Sequence, residues 1–229
     1  MSNGGSKLGQ GIGRDAMSTS PLEFDPIIIS LIRGETVLDL GCGFGHWGHL
    51  LMTHYRKDEN LDWRPKVVGI DRHPGNVEFC RRYPLYEQVI EADVLEYLKD
   101  VPGESVDTVL FPELIEHLEH SEGEELLKQA ERVAKKAVIL TTPNFSCLRG
   151  VGDGITGQNR WEHHLSVWTT NDFLKNKFKV IGVGNKLRMA RMRGIYRLIK
   201  MFPLISNFAD AWAMYHPNTA MHLIAYKYL

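Results

Sequence analysis

Residues Val37-Leu38-Asp39-Leu40-Gly41-Cys42-Gly43-Phe44-Gly45-His46-Trp47-Gly48 join an apolar run to a glycine-rich turn. The chain beyond the turn has helical period: Trp47, Leu50, Leu51 and Tyr55 stand at i, i+3, i+4 and i+8, on one face of a helix. The unit is strand, glycine loop, helix. Glycine suits such a loop because it reaches positive φ without a Cβ penalty and lets the backbone approach a ligand closely. Residues 43–48 also fit G-x-G-x-x-G, the spacing of dinucleotide-binding loops. Asp39 argues against that ligand. A carboxylate at the loop mouth repels a pyrophosphate in a partly desolvated site and favours a ligand that carries an ammonium group.

Strands and helices alternate outward from this unit. Residues 21–33 predict a short helix beside the first strand, and residues 46–57 the helix after the loop. Lys66 to Ile70 is a second strand closed by Asp71, where a carboxylate is placed to accept from ribose hydroxyls. A helix over 76–82, a third strand over 86–90 and a helix over 94–99 come next, with Asp93 a good N-cap for the last. Ser105 to Phe111 is a fourth strand. Ser121 and Glu124 have the spacing of a capping box, and Leu126, Leu127, Ala130, Val133 and Ala134 then share a helix face. Ala137 to Thr141 is a fifth strand, broken by Thr142-Pro143-Asn144, which opens a long glycine-rich loop. Thr169 with Asp172 caps a further helix, leading to strands over 178–183 and 221–226. This alternation argues an α/β three-layer fold.

The run Asp39-Leu40-Gly41-Cys42-Gly43-Phe44-Gly45 resembles motif I of the class I S-adenosylmethionine (SAM) methyltransferases: acid, apolar residue, then G-x-G-x-G. The resemblance covers roughly residues 35–185, and the last strand by position. It implies a Rossmann-like, seven-stranded, mostly parallel sheet with the last strand antiparallel, and SAM as cofactor. It implies cofactor contacts from Asp39, Gly41, Cys42, Gly43 and Gly45 at the methionine end. Asp71 would serve the ribose and Asp93 the adenine side, with Arg72, Val94 and Pro112 also binding the cofactor. One domain is expected over 21–229, after a flexible arm over 1–20 and with a helical insertion at about 186–218.

A second informative stretch is Pro112-Glu113-Leu114-Ile115-Glu116-His117-Leu118-Glu119-His120. If it turns helically, Glu113, Glu116, His117 and His120 share one face. Carboxylates and imidazoles on one stripe make a divalent-metal half-site, or an acidic solvated loop in which His117 bonds locally. The pattern Glu-x-x-Glu-His, with a later His before x-x-x-Trp-Thr, is similar to small-RNA 2′-O-methyltransferases. That resemblance implies Mg or Mn held by Glu113, Glu116, His117 and His164. The same segment resembles ubiquinone-type O-methyltransferases, and His-Leu-Ser-x-Trp at 164–168 resembles natural-product and glycan methyltransferases. Without metal, His117 or His164 is the candidate general base, with Glu113 beside them, because histidine titrates near neutral pH. Trp168 is either part of a pocket wall or core.

The formal charge of −1 gives no basic field for nucleic acid. Cys42, Cys80 and Cys147 show no paired spacing, which points to a reducing, cytoplasmic setting without a zinc knuckle. No apolar run is long enough for a membrane span. Lys186 to Lys200 holds six Lys/Arg and no acid, and reads as a basic amphipathic helix ended by Pro203. With the apolar residues up to Tyr215 it suits a lid, a homodimer face, an anionic membrane surface, a phosphate-bearing substrate, or a plain packing layer. The reading is a SAM-dependent methyltransferase acting on a hydroxyl of a small-molecule acceptor. The alternatives are a metal-dependent RNA 2′-O-methyltransferase, and a SAM-binding regulator or partner subunit.

Overall fold

In the computed structural model the described residues are 21–53, 65–144, 153–154, 157–158, 161, 163–186 and 203–229. The expected arm over 1–20, the end of the helix after residue 53, Cys147 and the basic stretch after Lys186 lie outside them.

Strands β1 (Thr36–Leu40), β2 (Lys66–Asp71), β3 (Gln88–Glu91), β4 (Val106–Pro112) and β5 (Ala134–Pro143) are parallel, and β8 (Lys179–Asn185) and β9 (Ala220–Tyr228) complete the sheet. The order is β3-β2-β1-β4-β5-β9-β8. β9 runs antiparallel to both β5 and β8, as the resemblance implied. β6 (Asp153–Gly154) and β7 (Gly157–Gln158) form a separate two-residue ladder inside the long loop, which the composition did not foretell.

Both faces of the central strands are buried, so these strands read as apolar runs without alternation. Leu38, Leu40, Val109 and Phe111 face the side covered by α4 (Val94–Asp100), α5 (His120–Val133) and α6 (Thr170–Lys175). Val37, Val67, Leu110 and Ile139 face α1 (Asp25–Leu31) and α2 (His46–Thr53). Helix α3 (Pro74–Arg81) begins earlier than expected. Pro74 fits the first helical turn, where its missing N–H is no loss. Helix α7 (Pro203–Tyr215) likewise starts at a proline, the residue expected to end the helix before it.

The cap of α5 differs from the sequence reading. Its N-cap is Glu119, and the Glu122 carboxylate accepts from the Glu119 N–H at 3.0 Å. The spacing is that of a capping box, two residues upstream of Ser121. The chain order reverses between β1 and β4, so a crevice opens beyond Leu40, Asp71 and Pro112, the usual ligand position in such sheets.

Candidate active site

The glycine loop is laced to the exit of β2. The N–H groups of Gly41 and Cys42 both donate to the Ile70 carbonyl, at 2.8 and 3.0 Å, and the Gly43 N–H donates to Asp71 Oδ2 at 2.8 Å. Gly41, Gly43 and Gly45 have φ of +72°, +53° and +81°, the left-handed region. Space separates the three. A Cβ on Gly41 would lie 2.9 Å from Leu114, and one on Gly45 2.7 Å from Leu85. On Gly43 it would meet nothing nearer than the Gly41 carbonyl at 4.0 Å, so the loop is open there. Cys42, expected as a cofactor contact, is buried with Val77, Cys80 and Val89 beneath the loop.

Asp39 is fully buried. Its Oδ2 accepts from the Tyr86 hydroxyl at 2.7 Å, while Oδ1 has no partner. Burial raises its pKa to about 7, against the Tyr86 bond and with help from the Asp71 charge. An orphaned, desolvated carboxylate oxygen is costly unless something completes it. A ligand ammonium does that, and a pyrophosphate does the opposite. The residues present therefore fit the methionine end of SAM.

Asp71 is also buried, and burial raises its pKa. Oδ1 accepts from the His73 N–H at 2.8 Å, and both oxygens lie 3.4 Å from Asn76 Nδ2. Asp71 thus ties the glycine loop to the start of α3 before any ligand arrives. A carboxylate has about four lone-pair sites, so acceptor capacity is left. Asp93 caps α4 by accepting from the Leu95 and Glu96 N–H groups at 2.9 and 3.3 Å. Its other oxygen pairs with Arg72 at 3.2 Å, and the Arg72 guanidinium lies 5.1 Å from the Trp161 ring. Val94 is buried behind Asp93.

Beyond β4 the chain does not form the expected helical stripe. Glu113 has φ +51°, and a single 3₁₀ turn spans Ile115–His117. Glu113 Oε1 accepts from the Thr141 hydroxyl at 2.9 Å. His120 opens α5 and stacks on Trp168 at 4.3 Å. Glu113 and His120 therefore take other partners, while Glu116 and His117 stay together. Three groups converge instead: among the described residues, ligand atoms of Glu116, His117 and His164 lie within 4.8 Å of one another. Glu116 Oε2 accepts from the Thr142 hydroxyl at 3.1 Å, and Oε1 is buried without a partner. Burial and the Glu113 charge push its pKa well up. His117 Nδ1 lies 3.0 Å from the His163 carbonyl, so Nδ1 carries the proton and Nε2 keeps its lone pair. Burial lowers the His117 pKa to about 4, so against expectation this imidazole does not titrate near neutral pH and is a weaker base, neutral at physiological pH.

The loop carrying His164 is clamped from below. The Leu165 and Ser166 N–H groups donate to the Glu116 carbonyl at 2.8 and 3.1 Å. The Trp168 indole N–H donates to Ser166 Oγ at 2.9 Å, and the ring is core, 1% exposed.

Residues 37–137 match the methyltransferase domain family. Residues 37–137 are thus a methyltransferase domain. An uncharacterized methyltransferase of Schizosaccharomyces pombe is 33% identical over 81 residues, which are 35% of this chain and 28% of that protein. The match thus spans little more than a quarter of that relative's length. A SAM-dependent methyltransferase from Archaeoglobus fulgidus superposes with TM-score 0.55 at 19% identity, over 89% of this chain and 91% of the other. One from Aquifex aeolicus gives 0.50 at 16% identity, over 90% and 91%. At these identities the two structures speak for the fold.

Asp39, the loop glycines, Asp71, Arg72, Asp93 and Pro112 stand at or just beyond the strand exits, with Cys42 packed beneath the loop and Val94 in the core behind Asp93. Glu116, His117 and His164 form a second group, and Glu113 is held on Thr141. Sequence reasoning missed Tyr86, the hydrogen-bond donor to Asp39. It also missed Thr141 and Thr142, and the bond at 2.9 Å between His46 Nε2 and Asp25 that pins α1 to the loop helix. A tyrosine just before β3 carries no local signal. A Thr-Thr pair at a strand exit facing two glutamates was the available hint.

Proposed function

We propose that this methyltransferase methylates a hydroxyl of a small acceptor of the metabolite, natural-product or glycan type. SAM, when bound, supplies an electrophilic sulfonium methyl group. The chain's own residues hold the two reactants and manage one proton. His117 carries this reading: its Nδ1–H is fixed on the His163 carbonyl, and its Nε2 lone pair is unprotonated at neutral pH. An acceptor hydroxyl seated at Nε2 hands over its proton as its oxygen gains the methyl, and proximity accounts for much of the remaining rate. The near-neutral charge of the chain supports a small acceptor over RNA.

A second reading rests on the grouping of Glu116, His117 and His164. These three residues would hold a divalent cation, which would satisfy the orphaned Glu116 Oε1 and supply Lewis acidity toward an acceptor hydroxyl. Two imidazoles with one carboxylate suit Mn better than Mg, which prefers all-oxygen ligands.

The test is incubation with methyl-labelled SAM and separated metabolite and RNA fractions, with and without a chelator. Label in hydroxyls of the metabolite fraction, lost in His117→Ala, supports the proposal. Label in RNA contradicts it. Activity lost on chelation and restored by Mn supports the metal reading. Tight binding of S-adenosylhomocysteine with no label in any fraction points to a SAM-binding regulator.

A further inference from the structure

Helix α7 turns a narrow face to the sheet. A Cβ on Gly182 would collide with the Ala213 carbonyl, so only glycine admits the helix this close. Asn185 Nδ2 donates to the Ala209 carbonyl at 3.0 Å. The exposed residues between 207 and 215 are Asn207, Phe208, Ala211, Trp212, Met214 and Tyr215, none of them charged, and Asp210 between them is half-buried. Phe208, Trp212 and Tyr215, at i, i+4 and i+7, are 69%, 50% and 84% exposed. They form a continuous aromatic stripe, with Trp212 stacked on His216 at 3.9 Å. Apolar residues scattered singly need no explanation, whereas a contiguous stripe marks a contact surface.

The chain leading into this helix says what kind of surface. Lys186 to Lys200 carries six Lys/Arg and no acid, in a protein whose net charge is −1. That run starts at Lys186, whose Nζ donates to the Asn218 carbonyl at 3.0 Å beside the far end of α7, and it gives out just before Pro203, the first residue of α7. The cationic run thus directly precedes the aromatic helix in sequence. An aromatic helix face that follows a cationic run in sequence matches the headgroup layer of an anionic bilayer.

We propose that the Phe208–Trp212–Tyr215 face of α7 seats on an anionic lipid surface. The contact is peripheral: among the described residues no helix is long and apolar enough to cross a membrane. It is an attachment to the headgroup layer of the kind made by interfacial helices.

The full chain is to be sedimented with vesicles of phosphatidylcholine alone and of phosphatidylcholine with phosphatidylserine. Partitioning should rise roughly tenfold or more with the anionic lipid and fall back at high salt. The triple variant F208S/W212S/Y215S should lose roughly tenfold in partitioning, with thermal stabilisation by S-adenosylhomocysteine unchanged as proof of folding. Equal sedimentation with both vesicles, no sedimentation, or unaltered binding of the folded variant would overturn the proposal. So would a dimer in velocity sedimentation that the same variant disperses without any lipid binding.

Discussion

The Tyr86 hydroxyl donates to Asp39 Oδ2 at 2.7 Å and leaves Oδ1, equally buried, without a partner. The carboxyl is held between two states. Burial favours the neutral acid, the phenol favours the anion, and the pKa settles at about 7. A ligand ammonium facing Oδ1 tips the balance to the anion and makes a charge-assisted hydrogen bond.

Affinity for S-adenosylhomocysteine should therefore rise with pH between 6 and 8, as Asp39 ionises. Calorimetric titration of the wild type and Asp39→Asn checks this. The variant should bind roughly 10- to 100-fold more weakly at pH 8, the loss of one charge-assisted bond, and show a flatter pH dependence. The ligand-free protein has the opposite trend. A carboxyl whose folded pKa lies above its ordinary 3.8 contributes stability that is full below that value and is lost as pH rises through about 7. Melting temperature should fall over that window, and less so in Asp39→Asn.

Tyr86→Phe removes the donor and leaves Asp39 with no bond on either oxygen. Stability should drop by about 1–3 kcal/mol. Loss of the phenol also raises the Asp39 pKa, so ligand affinity should weaken at pH 7 and recover at higher pH. Denaturant melts and titrations at two pH values separate the two effects.

Alanine in the loop should act differently at adjacent glycines. At Gly45 the new Cβ meets Leu85 at 2.7 Å and the backbone needs φ +81°, so Gly45→Ala should lower the melting temperature strongly. At Gly43 the space is open, and the cost is the backbone strain of about 1–2 kcal/mol. Gly43→Ala should nonetheless lose ligand binding, because its methyl fills the open side of the loop. Thermal shift with and without S-adenosylhomocysteine reads both quantities.

His117 should stay neutral far into the acid range. Its folded pKa is lowered from 6.5 to about 4, so the stability it contributes is lost as pH falls from 6.5 through 4. Methyl transfer should show no acid limb from this residue above about pH 5, and His117→Ala should cost roughly 10²- to 10⁴-fold in turnover. Binding of S-adenosylhomocysteine should be unaffected.

The sheet was legible in the sequence because its signals are local. Five apolar runs each end at a polar, glycine or proline exit, and the acid-then-glycine turn reports its own geometry. The Asp93 and Thr169 caps were legible for the same reason. The second half of the site was not. Helical spacing placed Glu113, Glu116, His117 and His120 together, but a left-handed residue at Glu113 and a one-turn 3₁₀ segment broke the period. The group that forms draws His164 from a loop clamped by Ser166 and Trp168, contacts made across 46 to 51 residues. Tyr86 reaches Asp39 across 47 residues, a distance at which spacing carries no information.

The most direct measurement is parallel titration of the wild-type chain with S-adenosylhomocysteine and with NAD at pH 8. Saturable binding of S-adenosylhomocysteine that weakens sharply in Asp39→Asn, with no binding of NAD, is the predicted result. Binding of NAD in preference, or S-adenosylhomocysteine affinity indifferent to the loss of the Asp39 charge, would contradict it.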